Sequence, residues 1–136
     1  MKIFLDANVL FSAVKSDGHV SQLLRLLTES GHELVANDYV MDEARRNLEV
    51  KYPVNHDLLG PVLTIVNVSS VSSHGLLPEG IELAEKDRPV LAAAIALGCN
   101  ALVTGDTTHF RHLFGTSVGG VMIFSPRSIA ESLLSS

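Results

Sequence analysis

The opening stretch MKIFLDANVLFSAV places an acid, Asp6, directly after a short apolar run, with no Lys or Arg beside it. A second acid, Asp106, ends Thr104-Gly105-Asp106 just past the apolar ALVT. Asp87 stands at the head of the segment RPVLAAAIAL, and Glu43 lies a few residues after the apolar ELVA. Carboxylates brought close together repel, and in a crevice of low dielectric the repulsion raises one or more of their pKa values. A divalent cation relieves it. Oxygen-only ligation, without His or Cys, suits Mg²⁺ or Mn²⁺ rather than zinc. Such an ion holds a phosphodiester oxygen, lowers the pKa of a bound water and stabilises a leaving oxygen, which is the chemistry of a nuclease.

Whether the four acids meet depends on the elements that carry them. Lys2 to Leu5 predicts a buried strand and Ala7 to Val14 a helix, broken at Ser16-Asp17-Gly18. His19 to Ser30 carries Val20, Leu23, Leu24 and Leu27 at helical spacing, with Gly31 as its stop. Glu33 to Ala36 predicts a second strand. Asn37 or Asp38 caps the next helix, which runs to about Lys51 and ends before Pro53. Asn55 to Thr64 predicts a helix interrupted near Gly60-Pro61, Ile65 to Val68 a strand, Ser69 to Gly75 a polar loop, and Leu77 to Glu85 one or two helical turns. Arg88 to Leu97 predicts a helix stopped by Gly98, Ala101 to Thr104 a strand, and Thr107 to Phe114 a short helix or turn. Gly120 to Phe124 predicts the last strand, and Ser125-Pro126 starts a final helix over Ser128 to Leu134.

This rhythm predicts an α/β fold, one domain over residues 1–136, with a mainly parallel sheet sandwiched between helices. Sites in such sheets form outside the carboxyl ends of the strands. Asp6 and Asp106 sit at two such ends. Asp87 points from the N-terminal edge of its helix, and Glu43 lies early in a helix that starts at another strand end. All four acids can reach the same rim. Each also has a plainer reading. Asp6 and Asp87 can cap the helices they precede, Glu43 can be a solvated helix residue like Asp42, and Asp106 can be a turn former after Gly105.

Asp6-Ala7-Asn8-Val9-Leu10, Glu43, Asp87 followed by the apolar helix, and Thr104-Gly105-Asp106 together resemble the PIN-domain family over nearly the whole chain. The nearest likeness is to the single-domain PIN proteins typified by the VapC toxins of toxin–antitoxin pairs. The resemblance implies a three-layer α/β/α sandwich and a Mg²⁺- or Mn²⁺-dependent endoribonuclease that leaves 5′-phosphate and 3′-hydroxyl ends. Carried over residue by residue, Asp6, Glu43, Asp87 and Asp106 match the four acidic, metal-holding positions. Asn8 and Thr104 match the polar residues that support them. Many relatives carry another acid three residues before the Asp87 position, where this chain has Ala84 followed by Glu85.

Other polar residues stand near these motifs. His109 and His112 lie three apart after Asp106, placed to contact RNA or assist proton transfer, or else to form a surface pair tied to local packing. Arg46, Arg111, Arg45 and Lys15 are the nearest candidate phosphate contacts. Cys99, the single cysteine, leaves no internal disulfide and no Cys-based zinc site, and its place in Gly98-Cys99-Asn100 reads as packing.

Of 136 residues, 46% are hydrophobic, and the mean hydropathy is +0.29. That surplus predicts apolar surface covered by a partner, a second copy of the chain in the first instance. The net charge of −5 argues against a protein that coats nucleic acid non-specifically, but not against an acidic site that meets phosphate through cations. The N-terminus has no signal-peptide layout, and Val90 to Gly98 is too short to span a bilayer, so a cytoplasmic protein without membrane contact is expected. The expected partners are RNA as substrate, a homodimeric copy and a small antitoxin protein. Two alternatives remain beside the nuclease: a PIN-like module that binds RNA or protein without cutting, and a phosphatase resembling the haloacid dehalogenases. The latter resembles Asp-x-Asp after the first strand, where this chain has Asn8 as the third residue.

Overall fold

The computed structural model describes residues 1–15, 17–54, 57–71 and 77–134. The apolar runs become a six-stranded sheet. Its strands are β1 (Lys2–Leu5), β2 (Glu33–Asn37), β3 (Val66–Ser69), β4 (Ala101–Val103), β5 (Ser117–Val118) and β6 (Val121–Phe124), in spatial order β3-β2-β1-β4-β6-β5. Every pairing is parallel except β5 with β6. Ile3, Phe4 and Leu5 are fully buried, as are Ala101 and Leu102, because helices cover both faces of the central strands.

The helices are α1 (Ala7–Ala13), α2 (His19–Glu29), α3 (Asp38–Lys51), α4 (Gly60–Leu63), α5 (Arg88–Ala96) and α6 (Pro126–Leu133). α1 packs on α2 and α3, and α2 on α6, forming one layer. α5 packs on β4; the right-handed crossover from β3 across to β4 puts it on the opposite face. The result is the α/β/α arrangement expected. Local chemistry sets the ends: Asn37 Oδ1 accepts the Val40 N–H (3.1 Å) to start α3, and Ser125 and Ser128 form a reciprocal cap for α6. Among the described residues no helix is long and apolar enough to cross a membrane.

Three segments differ from expectation. Leu77 to Glu85 forms no helix. Pro78 offers no N–H, Gly80 takes a left-handed φ of +88°, and the carbonyls of Ile81 and Glu82 accept from Arg88 (3.2 Å) and from His112 Nε2 (2.6 Å) instead of from the next turn. Of the helix expected over Asn55 to Thr64, Gly60–Leu63 is formed, while Asn55 and His56 lie outside the described residues. The strand β5 was not anticipated. It pairs back on β6 through Gly119 and Gly120, both at positive φ (57° and 85°), the geometry that two-residue hairpin loops require and glycine supplies.

Candidate active site

The strand order reverses between β1 and β4: the chain leaves β1 toward β2 and β3, then returns to β4 and runs outward to β6. A crevice opens at the carboxyl ends of two strands where such a reversal occurs. Leu5 pairs with Val103 at that end, and the Asp6 N–H donates to the Val103 carbonyl (3.0 Å), so Asp6 and Thr104 emerge side by side.

A pocket of about 310 Å³ lies there, and Asp6, Glu43, Asp87 and Asp106 all line it. Asp6 does cap α1, its Oδ1 accepting the Ala7 N–H (2.7 Å), yet its second oxygen turns to the rim and accepts from Thr104 Oγ1 (2.8 Å) and Asn8 Nδ2 (3.4 Å). Capping and pocket lining are thus two roles of one carboxylate. Asp87 occupies the N-cap position of α5, but its side chain makes no capping bond. Asp106 Oδ1 accepts the N–H groups of Thr108 (3.1 Å) and His109 (2.9 Å), which closes the turn after β4 and leaves Oδ2 facing inward.

Asn8 and Thr104 tie the two strand ends together. Asn8 Oδ1 accepts the Gly105 N–H (2.7 Å), and its Nδ2 donates toward Thr104 Oγ1 (3.3 Å). The Asp106 N–H donates to that same hydroxyl (3.1 Å). Gly105 makes this closeness easy: a Cβ there would sit 3.2 Å from Asn8 Oδ1, which would have to give by a few tenths of an ångström.

Charge accumulates in the pocket. Burial pushes the Asp6 carboxyl from its ordinary 3.8 up to about 6; the bonds from Thr104 and Ala7 hold it down, while Asp87 and Glu43 add to the rise. Burial, then the neighbouring Asp106 charge, also raises Asp87, against the pull of Lys86 and His109. For Asp106, burial works upward, but the backbone and ring N–H groups of His109 prevail and hold the carboxyl below the usual range.

His109 and His112 do not act as a pair. His112 tethers the Glu82 carbonyl, a packing role. His109 instead enters the site: its Nδ1 lies 2.7 Å from Asp106 Oδ2 and 2.9 Å from Asp87 Oδ2. Nδ1 can give only one hydrogen, which its closer partner Asp106 takes, and Asp87 Oδ2, fully buried, has no other polar neighbour to bond it. Arg46 and Arg111 are exposed and do not line the pocket, and Arg45 pairs with Asp42 at 3.9 Å.

Sequence reading passed over Asn47 and Lys86, which line the pocket, and Tyr39, whose hydroxyl donates to the Lys86 carbonyl (2.7 Å). Tyr39, Glu43 and Asn47 follow one another at four-residue spacing on α3, the signal that would have found Tyr39 and Asn47. Asn8 and Asn47 also line an adjoining, more open pocket of about 380 Å³ with Phe11, Val50 and Lys51, whose Nζ lies 5.5 Å from the Phe11 ring centroid.

No family model matches the sequence, and no curated protein matches it. The fold is similar to that of a chain in the crystal structure of VapBC2 from Rickettsia felis bound to a DNA fragment from their promoter. The TM-score is 0.64 at 16% identity, over 92% of this chain and 98% of that one. At that identity the likeness shows a shared fold.

Proposed function

We propose that the chain is a metal-dependent endoribonuclease of the PIN type, hydrolysing RNA phosphodiester bonds with Mg²⁺ or Mn²⁺. The observation that carries this reading is the gathering of Asp6, Glu43, Asp87 and Asp106 around one pocket, with Asp87 Oδ2 buried and its only polar neighbour His109 Nδ1, 2.9 Å away and shared with Asp106. Gathering carboxylates in a buried crevice without enough donors or cations is costly. A cation supplies what the protein withholds, so the residues present fit a divalent ion. Asp6, Asp87 and Asp106 would hold it, with Glu43 completing the set. When bound, such an ion polarises a phosphate oxygen and acidifies water.

The remaining work belongs to side chains. Glu43, on the wall formed by α3, takes a proton from the attacking water, which enters in line with the leaving 3′-oxygen. Thr104 and Asn8 hold Asp6 in one orientation. Lys86, on the pocket lining, is placed to meet a non-bridging phosphate oxygen; Arg46 and Arg111, outside it, would reach only flanking phosphates.

The fold likeness to a chain from the VapBC2 complex supports a toxin role, in which a small antitoxin protein is a partner. The hydrophobic surplus, with Leu26, Val50, Val54 and Met122 exposed, supports partner contact, including a homodimer. A cytoplasmic location belongs to the same reading. The test is hydrolysis of single-stranded RNA by the purified chain with Mg²⁺ or Mn²⁺ and with a chelator. Cutting that survives complete chelation would overturn the metal dependence.

A further inference from the structure

From the position of its imidazole we infer that His109 is itself a ligand of the cation, adding one nitrogen donor at the Asp87–Asp106 edge of the pocket and a preference for Mn²⁺ over Mg²⁺. This rests on the metal-dependent reading above and adds a residue that the resemblance to PIN proteins does not supply.

The geometry singles out one atom. Nδ1 of His109 and one carboxylate oxygen each from Asp87 and Asp106 lie within 4.8 Å of one another, the separation that atoms sharing one ion show. Nδ1 is 2.7 Å from Asp106 Oδ2 and 2.9 Å from Asp87 Oδ2, so the three donor atoms stand side by side, where one ion can meet all of them. The arrangement is poorly satisfied as it stands: one ring nitrogen serves two carboxylate oxygens, and Asp87 Oδ2 has no other polar neighbour. The side chain of His109 remains about a third exposed. Its Nε2 can therefore carry a ring hydrogen toward solvent while Nδ1 presents a lone pair inward.

The position is fixed by the turn rather than by chance of rotamer. The His109 N–H donates to Asp106 Oδ1 at 2.9 Å, and Phe110, next in sequence, is fully buried. Backbone and core thus anchor the main chain that carries the imidazole, and the two carboxylates hold its Nδ1. A nitrogen donor matters for the choice of ion. Mg²⁺ takes oxygen ligands in a strict octahedron, whereas Mn²⁺ accepts imidazole readily.

The experiment is pulsed electron paramagnetic resonance of Mn²⁺ on the intact chain, with natural-abundance and with ¹⁵N-histidine protein, beside calorimetric titrations of Mn²⁺ and Mg²⁺. The expected result is a ¹⁴N coupling that changes with the isotope and vanishes in His109→Gln. That variant should also lose about tenfold in Mn²⁺ affinity and less than about twofold for Mg²⁺. Mn²⁺ bound without nitrogen coupling in the unaltered chain overturns this inference alone, as does an equal loss, or a gain, for both ions in His109→Gln. No uptake of either ion overturns it together with the metal-dependent reading.

Discussion

The Thr104 hydroxyl donates to Asp6 Oδ2 at 2.8 Å, joining residues 98 apart in sequence. It is also the acceptor for the Asp106 N–H, so one oxygen orients two acids on two strands. Thr104 is fully buried, and Thr104→Val keeps its shape while removing the hydroxyl. The Asp106 N–H then loses its acceptor and Asp6 a donor, for a stability loss of about 1–3 kcal/mol. Denaturant unfolding reads the loss, and RNA cleavage should fall about tenfold or more. Unchanged cleavage would remove Thr104 from the supporting role given to it.

The Asp6 carboxyl, raised by burial to about 6, makes a definite pH signature in the metal-free protein. The folded state holds this proton more tightly than the unfolded chain does. Its favourable contribution is whole below about pH 4 and is lost as the pH rises through about 6. Asp87 acts in the same direction and Asp106 in the opposite one, its contribution being lost as the pH falls. Asp6→Asn should therefore stabilise the metal-free fold at pH 7, by at most about 3 kcal/mol, and flatten the decline above pH 4. Melting temperatures from pH 4 to 8 in a chelator decide it; a variant that melts lower at pH 7 contradicts the account.

Adding Mn²⁺ should reverse that decline. An ion that binds only the folded chain raises stability by about 2.7 kcal/mol at a hundredfold excess over its dissociation constant. Thermal unfolding with increasing Mn²⁺ or Mg²⁺ should shift upward in the native chain and scarcely in Asp87→Asn, which neutralises that buried carboxylate. Equal shifts in both would place the ion elsewhere.

Gly105 tests the closeness of the two strand ends. Its φ is ordinary, so strain in the backbone is not at issue; a Cβ would press on Asn8 Oδ1 at 3.2 Å. Gly105→Ala should push the Asn8 amide aside and lengthen its bond to residue 105. The expected cost is about 1 kcal/mol of stability and a several-fold fall in cleavage. Full activity would show that Asn8 need not hold its place.

How far the sequence revealed this site follows from which forces were local. Asp6, Glu43, Asp87 and Asp106 could be placed on one rim because strand ends and helix starts are written in apolar runs and caps. The sheet order then brought them together. Asn8 and Thr104 stood beside the acids in sequence and stayed beside them in space. His109 was less legible: its contact with Asp87 depends on a turn whose shape is set by Asp106 accepting two successive N–H groups. Lys86 reaches the pocket through a stretch that looked helical and is held open by Arg88 and His112. The hairpin of β5 was hidden because two residues carry too little pattern to read as a strand.

The central claim is that the four acids serve RNA cleavage through a divalent ion. A fluorogenic single-stranded RNA, incubated with Mn²⁺ and either the native chain or Asp6→Asn of confirmed circular dichroism, tests it most directly. The account predicts cleavage by the native chain to 5′-phosphate products, and at least about a hundredfold loss in the variant. Equal cleavage by the two proteins would contradict it.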